Sequence, residues 1–282
     1  MTTAKDKFFK LISILKEMDG AIIAYSGGVD SSLLLKACVD AMGERAIAVI
    51  ADSFTMPRSE LSEAVDMAKS LGVNPVIIST DELSDIDFSR NERDRCYYCK
   101  VNLFQEMKKI ADDKNISNIL YGGNLDDESD YRPGMQAAKE IGARAPLREA
   151  GLTKSEIRML SKSLNLRTWD KPAQACLSSR IPYGVNITMN RLQKVEMAED
   201  VMRKLGFRQN RVRLQDDHTV RIEIEKRDFH KILEGENLRK IVNEIKKLGF
   251  TYITLDLEGF RSGSMNEILP EHTSSNERAK KQ

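Results

Sequence analysis

An apolar run, Ala21-Ile22-Ile23-Ala24-Tyr25, passes without a break into Ser26-Gly27-Gly28-Val29-Asp30-Ser31-Ser32 and from there into a helical pattern. A strand that turns at two glycines into a helix constrains both the topology and the kind of ligand. Lacking a Cβ, Gly27 and Gly28 permit a tight turn that brings several backbone N–H groups against an anion. Ser26, Ser31 and Ser32 add hydroxyl donors, and a helix from Asp30 to about Ala41 turns its positive end to the same spot. The stretch reads as a phosphate cradle. Alone, Gly-Gly after a strand is often only a tight turn, and the GxxxxGK[ST] nucleotide loop is excluded because no lysine follows the second glycine.

The surrounding pattern says what kind of sheet carries the turn. Residues 5–18 read as an amphipathic helix, apolar strand-like runs recur at 21–25, 46–51, 75–79 and 117–122, and helical patterns near 30–41, 58–71 and 101–113 separate them. This alternation predicts an α/β fold, a parallel sheet with helices on both faces. Right-handed crossovers put the ends of three of these strands on one edge, where open sheets of this kind bind ligands. With these neighbours, SGGVDS resembles the PP-loop of the N-type ATP pyrophosphatase superfamily, whose members split ATP into AMP and pyrophosphate while activating a substrate as its adenylate. The resemblance implies an adenine nucleotide alpha hydrolase-like sheet and nucleotide contacts from Ser26, Gly27, Gly28, Val29, Asp30, Ser31 and Ser32. It further implies that the second strand end (Ala51, Ser53) and the fourth (Gly123, Asn124) face adenine and ribose, with Met56 as a soft contact to the base.

Beyond the sheet, the polar segment 165–190 carries Pro172, Pro182 and Gly184 with little periodicity, as an active-site loop or linker would. A helix at about 188–205, strands near 210–215 and 219–225, one or two helices over 227–248 and a strand at 251–256 predict a small C-terminal α+β domain. The division expected is a PP-loop domain over 1–165, a loop over 166–187, the small domain over 188–268 and a frayed polar tail over 269–282. With 282 residues a sizeable core can be buried.

Charge and apolar runs limit the partners. Lys and Arg total 44 against 43 Asp and Glu, so no global basic field argues for nucleic acid. No apolar run is long enough to span a bilayer, and Met1 to Lys10 lacks a signal-peptide core. The expectation is a cytoplasmic enzyme without a nucleic-acid or membrane partner.

Four cysteines in a reducing compartment are poor candidates for disulfides. Cys38 falls in phase with Leu34 and Leu35 and reads as core. Cys96 and Cys99 stand three residues apart just before the helix predicted at 101, so both sulfurs can point at one centre. Such a pair suits redox chemistry, half a zinc site or an iron-sulfur centre. Cys176 is the obvious third thiol, while His218, His230 and His272 lie in the second domain or tail. Three thiolates without an evident fourth ligand favour a 4Fe-4S cluster with one iron left open.

The stretch Pro172-Ala173-Gln174-Ala175-Cys176-Leu177-Ser178-Ser179-Arg180-Ile181-Pro182-Tyr183-Gly184, with SGGVDS before it and Gly259-Phe260-Arg261-Ser262-Gly263-Ser264 after it, closely resembles the LarE family of sulfur insertases in nickel-pincer nucleotide cofactor synthesis. The likeness extends over roughly residues 5–268. It implies an enzyme that adenylates the carboxylates of pyridinium-3,5-biscarboxylic acid mononucleotide and replaces the activated oxygen with sulfur, with ATP and Mg2+ as cofactors and a homo-oligomeric assembly. In some members the cysteine matching Cys176 gives up its own sulfur. Those members lack the pair matching Cys96 and Cys99, so this chain resembles the cluster-bearing branch, in which sulfide or another sulfur donor recharges a 4Fe-4S cluster.

Within that reading Asp30 and Cys176 are the catalytic candidates, and Asp30 is the expected Mg2+ ligand. Lys100 and Arg180 are candidates to hold phosphate or AMP. Arg211 and Arg213 share one face of a strand, and with Glu223 on the neighbouring strand and Arg261 they are the candidates for the substrate phosphate. The helix with Glu196, Glu199 and Asp200 reads as a solvated face. Competing readings are a cluster-dependent tRNA thiolase, which calls for an RNA-binding module, and an amide-forming ligase, for which clustered thiols are idle.

Overall fold

The computed structural model describes residues 3–129, 133–172, 175–261 and 263–267. The chain divides into two compact units, 1–174 and 175–282. The division therefore falls inside the segment 166–187 that the sequence suggests as a linker.

The first unit is built on four parallel strands in the order β3-β2-β1-β4, with β1 at Ala21–Ala24, β2 at Ala46–Asp52, β3 at Val76–Ser79 and β4 at Ile119–Tyr121. β1 pairs on both sides, Ile22 opposite Ile47 and Ile119, and Ala21, Ile22 and Ile23 are fully buried. A strand covered on both faces reads as an unbroken apolar run, which is why Ala-Ile-Ile-Ala occupies the centre. Helices α1 (Ala4–Lys16), α2 (Val29–Met42) and α3 (Arg58–Ser70) contribute Leu11, Leu15, Leu33, Leu34, Leu35, Ala64 and Ala68 to one core layer. The other layer is formed by Ile22 and Val49 with Phe104, Met107 and Ala137. Those last three come from α5 (Arg95–Asp113) and α6 (Pro133–Glu140), which follow the short helix α4 (Ile86–Ser89). The short helix α7 (Pro146–Glu149) and α8 (Lys154–Ser163) complete the unit.

Two features differ from the sequence-based expectation. α5 starts at Arg95 rather than near 101, so Cys96 and Cys99 are inside the helix. Its buried residues, among them Leu103, Phe104, Met107 and Ala111, set a periodic face that the two preceding turns simply extend. α6 and α8 escape the strand-helix count because no complete strand follows them in the sheet.

The second unit carries α9 (Met189–Lys204), the hairpin β5 (Asn210–Leu214) and β6 (Thr219–Ile224), the short helix α10 (Phe229–Leu233), then α11 (Gly235–Lys247) and β7 (Tyr252–Leu255). β5 and β6 pair antiparallel, Arg211 facing Glu223 and Arg213 facing Arg221, and β7 joins β6 in parallel. All five residues of β5 are buried. The tail beyond residue 267 lies outside the described residues. No described helix is long and apolar enough to cross a membrane.

Candidate active site

β1 ends at Ala24, and the chain turns at Gly27 with φ +69°. A Cβ there would lie 2.6 Å from the Cβ of Ala64 on α3, so glycine is required for conformation and for space. Gly28 then caps α2 without a side-chain hydrogen bond. The first-turn N–H groups of α2 therefore have no capping side chain, the arrangement that receives phosphate at a helix start. Ser31 Oγ bonds to Ser26 Oγ (3.2 Å) and donates to Gly28 O (3.2 Å), while Ser32 Oγ bonds to Tyr25 OH (3.2 Å). These hydroxyls shape the turn from within. The loop after β4 comes up against it, since a Cβ on Gly122 would stand 3.0 Å from Ser31 N.

Asp30, in the first turn of α2, has one carboxylate oxygen on Lys154 Nζ. Its other oxygen, Oδ1, is buried with no partner among the described residues. Burial raises the Asp30 carboxyl above its ordinary range, opposed by Lys154 and reinforced by Asp127. An unsatisfied carboxylate oxygen beside a phosphate-ready helix start has the donor chemistry of a Mg2+ ligand. Asp127 Oδ2 accepts from Asn124 N at 2.9 Å and Asp126 Oδ2 from Lys154 N at 2.9 Å, so the β4 loop and the start of α8 are tied to each other.

Sequence reasoning missed Lys154. It occupies the first position of α8 after the capping box Thr153–Glu156, where a cation faces the positive helix end. A lysine placed against the helix dipole is the signal that could have found it.

The other nucleotide-wall candidates lie along the sheet end. Ser53 is 4% exposed and Asn124 3%; Ala51 is half-buried, Gly123 is buried, and Met56 is half-buried against the core layer of α1 to α3. Ser53 Oγ donates to the buried Glu82 at 2.8 Å and bonds to Thr55 Oγ1 at 2.8 Å. Lys100 lies on the face of α5 that meets Gly134 of α6, where a Cβ would touch its side chain at 2.9 Å.

Cys96 is exposed and Cys99 partly exposed, both in the first turns of α5, while Cys176 is exposed in the second unit at the cap of a 3-10 turn, Leu177–Arg180. Positions three apart on a helix share a face, so the pair offers two soft donors to one centre, the donor set an iron-sulfur cluster uses. Among the described residues no group of three or more His, Cys, Asp or Glu side chains is gathered to hold a metal. Cys38 is fully buried and burial pushes its thiol far up, as a core cysteine.

In the second unit Arg180 is 1% exposed. It donates to Glu199 through Nε (2.8 Å) and Nη2 (3.1 Å), and through Nη1 to the carbonyls of Ala175 (2.7 Å) and Cys176 (3.0 Å). Glu199 also accepts from Val212 N at 3.1 Å. The expected solvated face is corrected here: Glu199 is 2% exposed, because a buried guanidinium from the Cys176 loop must be matched inside the unit.

Arg213 donates to Glu223 (2.6 Å), Ser179 O (2.6 Å) and Ser264 Oγ (3.0 Å). Arg211 lies over the Phe260 ring, 5.2 Å from its centroid, and burial, followed by neighbouring Arg180, lowers its pKa to about 10. Arg261 is held charged first by Glu267, with Asp256 and Glu258 adding to it. Three arginines, 180, 211 and 213, are thus buried among two carboxylates, Glu199 and Glu223, a local excess of positive charge suited to an anion.

Residues 6–110 match the family model for NAD synthase. An uncharacterised protein of Synechocystis sp. is 41% identical, covering 94% of this chain and 98% of its own length. The pyridinium-3,5-bisthiocarboxylic acid mononucleotide synthase of Lactiplantibacillus plantarum is 37% identical over 95% of this chain and 97% of its own. An uncharacterised protein of Methanocaldococcus jannaschii is 30% identical over 91% and 98%.

Proposed function

The chain belongs to the LarE family, that of the pyridinium-3,5-bisthiocarboxylic acid mononucleotide synthase of Lactiplantibacillus plantarum, and on that premise we propose that it is an ATP-dependent sulfurtransferase of nickel-pincer nucleotide cofactor synthesis. The observation that carries the proposal is Asp30, whose buried carboxylate pairs with Lys154 through one oxygen and leaves the other unsatisfied beside the uncapped start of α2.

ATP lies with its phosphates against the turn from Ser26 to Ser32. Asp30 would hold Mg2+ through Oδ1, where the ion would offset phosphate charge, and Lys154 neutralises the pyrophosphate as it leaves. Ala51, Ser53, Met56, Gly123 and Asn124 wall the adenosine. A carboxylate oxygen of pyridinium-3,5-biscarboxylic acid mononucleotide attacks the α-phosphorus, the bond to the bridging β-oxygen breaks, and pyrophosphate departs. A sulfur nucleophile then forms a C–S bond at the acyl carbon as the C–O bond to AMP breaks, giving the thiocarboxylate without net redox change. The second carboxylate repeats the cycle. Arg211 and Arg213 take the substrate phosphate, fixed in place by Glu223 and by the Arg180–Glu199 pair. Lys100 and Arg261 serve as outer cations.

Cys96, Cys99 and Cys176 would hold a 4Fe-4S cluster. When bound, it supplies sulfide sulfur as the nucleophile. The exposed thiols and the shared face of α5 support this reading.

Anaerobic iron-sulfur reconstitution followed by assay with ATP, Mg2+, sulfide and the precursor tests it. The expected result is more than one sulfur transferred per chain with Cys176 intact, and loss of the brown absorbance in Cys96→Ala and Cys99→Ala. One sulfur per chain with Cys176 converted to dehydroalanine would replace the cluster by sacrificial donation. Absence of precursor-dependent pyrophosphate release would sink the function itself.

A further inference from the structure

Glu82 is a buried carboxylate that the chemistry above does not use. It sits in a 3-10 turn, Glu82–Ser84, following β3, and is 2% exposed. Its Oε2 accepts from Ser53 Oγ at 2.8 Å, and its Oε1 accepts from Thr80 Oγ1 at 3.0 Å and from the Cys99 thiol at 3.8 Å. Among the described residues those donors are two hydroxyls and a thiol, with no cation. A buried carboxylate held only by neutral donors is costly to keep, and an apolar residue of similar size would fill the space.

The donors come from two functional places. Ser53 follows β2 in the wall assigned to the nucleotide, and Cys99 is in the thiol pair of α5. Ser53 has a single hydroxyl proton, and that proton goes to Glu82. The same oxygen accepts from Thr55 N at 3.0 Å and meets Thr55 Oγ1 at 2.8 Å, so its acceptor side is already used. A nucleotide acceptor that draws the Ser53 proton therefore removes a donor from Glu82. The carboxylate then depends more on Thr80 and Cys99, because charge left unsolvated in a low-dielectric pocket strengthens its remaining hydrogen bonds.

We propose that Glu82 is a positioning residue that couples occupancy of the nucleotide wall at Ser53 to the hold on the Cys99 thiol. The coupling rests on the assignment of that wall to the nucleotide. Its consequence is an order of events in the metal-free chain, where Cys99 still carries its thiol proton: filling the wall tightens the hold of Glu82 on the Cys99 sulfur.

The test uses the full chain, freed of iron by chelation, reduced, and labelled with iodoacetamide at fixed pH. Peptide mass spectrometry follows Cys96, Cys99 and Cys176 separately, and equilibrium dialysis reads AMP binding in parallel. Saturating AMP is expected to slow labelling of Cys99 at least about fivefold, the lower range of site-to-site coupling, with Cys96 unaffected. In Glu82→Gln the AMP effect on Cys99 should vanish while AMP still binds. Ser53→Ala, which keeps the carboxylate and deletes the donor, should show the slow rate with or without AMP. Equal slowing in wild type and Glu82→Gln would mean simple shielding and would overturn the coupling. An unresponsive Cys99 in a wild-type chain that binds AMP overturns it as well, whether or not either variant folds. Failure of AMP to bind overturns both the coupling and the nucleotide assignment.

Discussion

Lys154 Nζ donates to Asp30 Oδ2 across 124 residues of chain. The contact joins the first turn of α8 to the first turn of α2, two helix starts whose dipoles both favour anions. A lysine there cancels part of the charge that burial makes costly on Asp30, and it is placed to meet a further anion.

Replacing Lys154 with Met keeps the length of the side chain and removes its charge. Adenylation should fall roughly 100-fold, the scale for losing one electrostatic stabiliser of a developing anion. Precursor-dependent pyrophosphate release measures the rate, and circular dichroism should show an intact fold. A rate within twofold of wild type would remove Lys154 from the chemistry.

The two glycines of the turn should behave differently. Gly27→Ala places a Cβ 2.6 Å from Ala64 at φ +69° and should cost about 1–3 kcal/mol. Gly28 has φ −81°, and its added Cβ meets only Ser26 Oγ, at 3.4 Å. Urea unfolding should therefore separate the variants, with Gly28→Ala close to wild type. Equal losses at both positions would contradict the close approach of α3.

Glu199→Ala leaves the Arg180 guanidinium buried without its carboxylate and should destabilise the second unit by about 3–5 kcal/mol. The double variant Arg180→Met/Glu199→Met removes both charges and should regain most of that loss. A double-mutant cycle by denaturant titration reads the coupling. If the double variant is no more stable than Glu199→Ala, the pair is not an isolated charge match.

Lys7 and Glu156 tie α1 to α8 at 2.7 Å, with side chains 21% and 19% exposed. Burial alone would raise the Glu156 carboxyl, but Lys7 and Thr153 override it and hold the pKa below the ordinary 4.5. A lowered folded pKa means that this stability is present above pH 4.5 and lost as pH falls through the lower folded value. Lys7→Met should thus cost about 1 kcal/mol at neutral pH, and the difference from wild type should shrink and close as pH falls from 4.5 through the lowered folded value. A gap that stays constant with pH would show that the loss comes from packing of the lysine stem.

The parallel sheet and the cradle were legible because each depends on neighbours in sequence: Ala-Ile-Ile-Ala for a strand buried on both faces, and Gly27 for a turn that only glycine makes. The same local logic put Cys38 in the core and Arg211 and Arg213 on one strand. Lys154 and Glu82 were not legible, since their partners are far along the chain, 124 residues for Asp30 and 29 for Ser53. Glu199 misled for a related reason. A carboxylate among Glu196 and Asp200 looks solvated until Arg180, from an irregular loop, is known to need it. The early start of α5 was hidden because Arg95-Cys96-Tyr97-Tyr98 has no periodic apolar face of its own.

Full burial of Cys38 gives the chain an internal gauge of its own integrity. Its thiol is sealed in the core layer of α1 to α3 with an acidity far too weak for reaction at neutral pH, while the other three face solvent wholly or in part. A thiol reagent added to the folded, metal-free protein should count three sulfurs, and a fourth should register only from molecules that have opened. Following the Cys38 peptide alone in such a titration thus reports what fraction of the chains in a preparation is folded.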